Sequence, residues 1–192
     1  MAMATYQRAL HRLQPVIPFL FDSLQEALTE TAEDHERKKL KRRTDPHYFA
    51  HGVRRLYSER LKAKGLLVTD VDHDRSTLPM SGIRIDHDGL SVWMFRSEKQ
   101  IPLPASSRKQ EFYSQTSTLE GWDNLLLLWS DLNYVLRDPM HLVRPLGGDN
   151  RRANLRIDWG GPLARAMATM RAADLDELQP EQMWTRLDDT GA

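Results

Sequence analysis

The chain has 192 residues, of which 40% are hydrophobic and 28% charged, a balance typical of a folded globular protein rather than a disordered one. It contains no cysteine, which excludes disulfides, thiolate metal ligands and cysteine nucleophiles. The longest apolar runs fall far short of the roughly 20 residues that span a bilayer, and no secretory leader is recognisable. We therefore expect a cytoplasmic protein without membrane contacts.

The net charge of zero hides a strong asymmetry along the chain. Residues 1–35 carry 2 basic and 5 acidic groups, a net charge of −3, whereas residues 36–64 carry 11 basic and 3 acidic groups, a net charge of +8. Residues 65–192 have a net charge of −5. An anionic partner responds to this local field rather than to the total charge.

The N-terminal region, residues 1–64, is predicted to be helical. The stretch ATYQRALHRL is typical of a short helix that ends near Pro15 and Pro18. Apolar residues then recur at helical spacing from Phe19 to about Arg42, and no later Gly or Pro interrupts the run. This pattern predicts one long helix.

A further helix is predicted to begin after Thr44 or Asp45, with Pro46 in its first turn, and to end at Gly65. At 100° per residue, its apolar side chains share one arc that must face the core. These are Phe49, Val53, Leu56 and Tyr57. The side chains that we expect on the opposite, exposed side are His47, His51, Arg54, Arg55, Ser58 and Lys62.

Residues 65–178 are predicted to form an antiparallel β-meander of about five strands, closed by one C-terminal helix. Together with the helical region this gives an α+β protein with a single fold, followed by a flexible tail at 179–192. The alternation in GIRIDHDGLSVWMF around Asp88-Gly89 predicts a hairpin with a two-residue turn. The pairs expected from this turn are His87–Leu90, Ile85–Val92, Ile83–Met94 and, on the other face, Arg84–Trp93.

The second half of this region contains the remaining predicted strands. The polar segment 96–121 is typical of a long loop, with one strand in QEFYSQ. NLLLLWS is apolar on both faces and predicts a central strand, with YVLRD and HLVRP as its neighbours on either side of an Asp138-Pro139 turn. NLRIDW predicts the last strand, and Pro162 the start of the C-terminal helix.

Two clusters contain residue types that bind metals. His47 and His51 lie one helical turn apart, as in zinc-binding helices, but Tyr48 stands where a catalytic Glu would follow the first His. The adjacent Arg54 and Arg55 would repel a cation, so no metal is predicted there. An alternative function is a metal-dependent hydrolase or nuclease that uses the Asp/His loop at 70–74.

The function that the sequence favours is non-catalytic binding of nucleic acid, or of another anionic partner such as an acidic protein surface, through residues 37–62. The candidate contacts there are Lys38, Lys39, Lys41, Arg42, Arg43, His47, His51, Arg54, Arg55 and Lys62. Arg84 and Trp93, on the outer face of the hairpin, are added as further candidates. A protein–protein adaptor without nucleic-acid contact and an ordinary solvated surface remain alternatives. No cofactor or catalytic residue is predicted.

Overall fold

The computed structural model describes residues 4–69, 82–98, 100–115 and 122–182. The fold is α+β, as predicted. Its α-helices are α1 (Tyr6–Leu13), α2 (Ile17–Arg37), α3 (Pro46–Ala63), α4 (Ser107–Tyr113) and α5 (Ala172–Asp176). Single 3-10 turns cover Gln14–Val16, Arg152–Asn154 and Arg165–Thr169. The predicted loop site at 70–74 and most of the predicted tail, residues 183–192, lie outside the described residues.

The sheet is mixed rather than antiparallel throughout. Its strands are β1 (Leu67–Thr69), β2 (Ile83–His87), β3 (Leu90–Arg96), β4 (Asp123–Trp129), β7 (Met140–Gly147) and β8 (Arg156–Leu163), paired in that order. A separate small hairpin consists of β5 (Asp131–Leu132) and β6 (Val135–Leu136). The prediction of a pure meander is wrong because β3 and β4 run parallel, which requires a crossover connection instead of a tight turn.

The hairpin of β2 and β3 has the predicted register. His87 pairs with Leu90 and Arg84 with Trp93, around a turn in which Asp88 has φ 43° and Gly89 has φ 73°. Two consecutive left-handed residues are the geometry that a two-residue hairpin turn requires. The turn chemistry thus sets the register of both strands.

The long helix α2 ends at Arg37, five residues before the predicted end near Arg42. Lys39 has φ 55°, and the N–H of Leu40 donates to the carbonyl of His35 at 2.9 Å. This pattern is a Schellman cap, which usually uses Gly or Asn at the left-handed position. A lysine there gives no sequence signal, which is why the predicted helix was too long.

The helix α3 has nearly the predicted bounds, and Gly65 closes it with φ 77°. Phe49, Val53 and Tyr57 are buried as predicted. Ser58 was expected to be exposed but is buried, and Arg54, also expected to be exposed, is half-buried. Leu56, which was expected in the core arc, is only half-buried, so the buried side of α3 is shifted around the helix from the predicted one.

Three further expectations between residue 96 and the C-terminus are wrong. QEFYSQ is not a strand, because most of it belongs to α4, whose first turn is capped by the Ser106 hydroxyl accepting from the Lys109 N–H. Residues 135–136 do not flank β4, since they pair with 131–132 in the small hairpin, and the true neighbours are β3 and β7. Pro162 starts no helix; it lies in β8, an edge strand where a missing N–H is tolerated.

The side chains of the sheet alternate between two cores. Met94 and Leu127 face the larger core, which is covered by α1, α2 and α3. Trp93 and Leu126 face the smaller core on the other side, which includes Phe112 of α4. The helices α3 and α4 therefore contribute to cores on opposite faces of the sheet, and both lie close to the carboxyl end of β3.

Candidate anion-binding site

A small pocket lies at the edge of the sheet where β3 and β4 end. Because these strands run parallel in register, their last residues, Arg96 and Trp129, are aligned at the same edge. The pocket measures about 120 Å³ and lies between α3, the ends of β2, β3 and β4, and α4. Its apolar lining is Phe49, Ala50, Val53, Tyr57, Ile83, Met94, Phe95 and Trp129.

Three cations also line this pocket, and each comes from a different element. Arg54 lies on α3, Arg96 ends β3 and Lys109 lies on α4. Among the described residues of the lining, these are the only charged side chains. We refer to this cavity, with its three cations, as the basic pocket.

Lys109 is held against aromatic rings at the pocket wall. Its ammonium nitrogen lies 5.4 Å from the ring centroid of Phe95 and 5.8 Å from that of Trp93, within cation–π range. Burial lowers the pKa of Lys109, and the nearby positive charge of Arg54 lowers it further. Burial also lowers the pKa of Arg54. The fold thus holds two like charges close together in a half-buried place, and a bound anion would offset their repulsion.

An ion-pair network extends the basic pocket toward the turn between α2 and α3. Arg42 donates two hydrogen bonds to the carboxylate of Asp131, one of them 2.7 Å long, and the Nε of Arg96 donates to the same carboxylate at 3.1 Å. Both guanidinium groups lie over the Phe49 ring, at 4.1 and 5.1 Å from its centroid. One carboxylate therefore serves two arginines.

This network determines the ionisation of Asp131. Its side chain has no exposed surface. Burial alone would raise the pKa of Asp131, but the hydrogen bonds and charges of Arg42 and Arg96 outweigh burial and lower it. The ionised carboxylate is therefore a fixed structural anchor for Arg42 and Arg96.

The predicted contact residues lie in several different places in the structure. Near the network, Lys39, Lys41 and Arg43 are exposed in the turn that follows α2, and His47 is exposed in the first turn of α3. Lys38 and Arg55 instead line a separate groove between α2 and α3. Lys38 pairs there with Asp34 at 2.8 Å, and Arg55 pairs with Glu59 at 3.0 Å. His51 is half-buried and Lys62 is exposed farther along α3.

The groove that contains Lys38 and Arg55 differs from the basic pocket in its charge. It measures about 940 Å³ and its lining includes four acidic and four basic side chains. The acidic ones are Glu26, Glu30, Glu33 and Asp34, and the basic ones are Arg37, Lys38, Arg55 and Arg60. Because these charges balance, the groove does not favour an anion.

The two candidates from the hairpin lie away from the surface that was expected. Trp93 is 2% exposed, and its ring meets that of Phe112 edge-on at 5.1 Å. The outer face of the hairpin is thus covered by α4 and cannot offer Trp93 for stacking on a base. Arg84 is half-buried and pairs with Asp86 at 3.4 Å. Neither residue lines the basic pocket.

Sequence reasoning missed Arg96 and Lys109, because neither lies in the basic run. One local signal for Lys109 was available: Ser106, followed by an apolar Phe112-Tyr113 pair at the end of the segment, is typical of a capped helix. The proximity of Lys109 to Arg54, however, depends on the crossover between β3 and β4. No local pattern in the sequence predicts that proximity.

Metal binding finds no supporting geometry in the described part of the chain. Within residues 4–69, 82–98, 100–115 and 122–182, no three His, Asp or Glu side chains gather in a group that could hold a metal ion. The alternative at 70–74 lies outside these ranges.

No family model, curated protein or solved structure matches this chain. None of the helices in the described ranges combines the length and apolar character needed to cross a membrane.

Proposed function

We propose that this protein is a non-catalytic binding protein that holds the phosphates of a nucleic acid on the surface around the basic pocket. The observation that carries this proposal is the convergence of Arg54, Arg96 and Lys109, from three separate elements, on one pocket. Holding like charges together costs free energy. Phosphate groups would offset that cost on binding.

Exposed cations next to the pocket support a partner with several negative charges. On α3, positions three or four residues apart lie on one strip of the helix surface, so His47, Ala50 and Arg54 follow one another. The axial distance from His47 to Arg54 is about 10 Å. Lys39, Lys41 and Arg43 are exposed in the turn that precedes α3. A polyanion could thus contact the turn and the pocket at once.

The experiment is a binding titration with nucleic acids labelled on an internal base. Single-stranded and duplex DNA and RNA of the same sequence are compared by fluorescence anisotropy at 50 and 200 mM salt, concentrations over which phosphate contacts weaken strongly. Lys109→Met and Arg54→Met are each expected to weaken binding to all sequences alike. Each should also reduce the slope of log affinity against log salt by about 0.7 to 1.

Arg108→Met is the matched control for Lys109→Met. It removes one positive charge from an exposed neighbouring position of α4 and leaves the pocket lining unchanged. Binding that is independent of salt, or equal losses for the two variants, would contradict the proposed site. An acidic peptide is the second ligand in the series, because strong binding of the peptide without binding of any nucleic acid would show a protein partner instead.

A further inference from the structure

The cations of the basic pocket surround a single small cavity, an arrangement that suits one group with more than one negative charge. The side chains of Arg54, Arg96 and Lys109 line a single cavity of about 120 Å³ instead of following a groove. A phosphate within a strand carries one negative charge. A phosphomonoester carries about −1.5 to −2 charges at pH 7 and three strong acceptor oxygens. Three convergent cations match the second group better than the first.

The size of the cavity limits what can enter it. Pockets for whole small molecules typically measure roughly 300 to 1,000 Å³, so about 120 Å³ admits only a fragment of a larger ligand. A phosphate group with part of its attached sugar is such a fragment. The rest of the ligand would lie outside the cavity.

Several apolar residues that line the cavity belong to the larger core. Phe49, Tyr57, Ile83, Met94 and Trp129 are among them, and all are nearly fully buried. A strand that entered the cavity would meet this apolar lining, so we expect only the group at its end to be inserted. An apolar lining also excludes water, and this strengthens charge–charge attraction inside the cavity.

Lys109 is a suitable donor for the incoming group. The described contacts of its ammonium group are with the rings of Phe95 and Trp93. Arg96 is held at the rim by Asp131. The cavity therefore offers a guanidinium positioned by Asp131 and an ammonium positioned by two aromatic rings.

We infer that the basic pocket binds a terminal phosphomonoester, so that the protein recognises the phosphorylated end of a nucleic-acid strand. This inference rests on the proposed function and adds the part of the ligand that is recognised.

The test uses single strands of 12 nucleotides with one sequence and an internal label. The first strand carries a 5′-phosphate and the second carries a 3′-phosphate. The third strand has hydroxyl groups at both ends. At 150 mM salt, one phosphorylated strand should bind about ten-fold more tightly than the hydroxyl strand, as one added set of charge-assisted hydrogen bonds would give. This preference should disappear in Lys109→Met and persist in Arg108→Met, with circular dichroism confirming that both variants fold.

The outcomes separate this inference from the proposed function. Equal affinity for all three strands, with salt-dependent binding retained, would overturn end recognition and leave the proposed function standing. Absence of binding to every strand would overturn both. A phosphoserine peptide is included, because its binding without any strand binding would assign the pocket to a phosphorylated protein and so reject both statements.

Discussion

Arg42 donates two hydrogen bonds to the carboxylate of Asp131, a side chain that has no exposed surface. Asp131→Ala would leave the partly buried Arg42 without this acceptor. We expect the free energy of unfolding to fall by about 2 kcal/mol, measured by urea denaturation. Glu59→Ala, which breaks the exposed pair with Arg55, should cost less than about 0.5 kcal/mol. Equal losses would show that the Arg42–Asp131 pair is no more than a surface contact.

The same ion pair predicts how the stability of the fold depends on pH. The pKa of Asp131 is lowered in the folded protein, because Arg42 and Arg96 outweigh the effect of burial. Such a carboxylate stabilises the fold above its unfolded pKa of about 3.9, and this contribution is lost as the pH falls through the folded pKa. Asp131→Asn should therefore lose less stability than the wild type on going from about pH 5 to below pH 3. Parallel pH profiles in urea unfolding would disprove this.

Gly161 is required by the close approach of Tyr6. A Cβ at position 161 would lie 2.7 Å from Cζ of the Tyr6 ring, whose hydroxyl donates to the carbonyl of Pro162 at 2.5 Å. Gly161→Ala should lower the free energy of unfolding by about 1 to 3 kcal/mol through overpacking.

Tyr6→Leu provides the check on this explanation, because the smaller side chain removes the ring that the new methyl group would meet. The double variant should therefore lose less stability than the sum of the two single changes. Strict additivity in urea unfolding would show that another contact limits position 161.

Neighbouring arginines on α3 should differ in their effect on binding. Arg54 lines the basic pocket, whereas Arg55 lies in the charge-balanced groove and pairs with Glu59. In anisotropy titrations with a labelled single strand, Arg54→Met should weaken binding about ten-fold, as loss of one charge-assisted contact would do. Arg55→Met should change the affinity less than two-fold at 150 mM salt. The reverse order would place the contact surface on the other side of α3.

Lys109→Met should make the protein more stable while it weakens binding. The fold holds this ammonium half-buried and close to Arg54, and a methionine there would remove the repulsion and pack on Trp93 and Phe95. We expect the melting temperature to rise by about 1 to 3 °C. Arg108→Met, on the exposed side of α4, should leave it unchanged. A lower melting temperature for Lys109→Met would mean that the ammonium stabilises the fold and is not kept for a ligand.

Local chemistry was sufficient to predict part of this fold. The Asp88-Gly89 turn set the pairing from His87–Leu90 to Ile83–Met94, and Pro46 and Gly65 marked the ends of α3. The end of α2 could not be predicted in the same way, since it depends on Lys39 in a left-handed conformation that other residue types favour more. Patterns are informative where the residue type itself limits the backbone.

The candidate site was only half predictable for a different reason. The basic run contained Arg42 and Arg54, but the other charged residues of the site come from elsewhere in the chain. Arg96 ends a strand of the sheet, Lys109 lies in the crossover and Asp131 lies in the small hairpin. The parallel pairing of β3 with β4 brings these segments together. A crossover of this kind leaves no periodic signal in a single sequence.

Because the walls of the basic pocket come from α3, β3 and α4, a bound ligand would act as a non-covalent crosslink between distant parts of the chain. Such a ligand stabilises the whole native state, by about 2.7 kcal/mol at a concentration one hundred times its dissociation constant. A library of phosphorylated compounds could therefore be screened by the increase in melting temperature alone. The screen would need neither a catalytic assay nor a labelled partner.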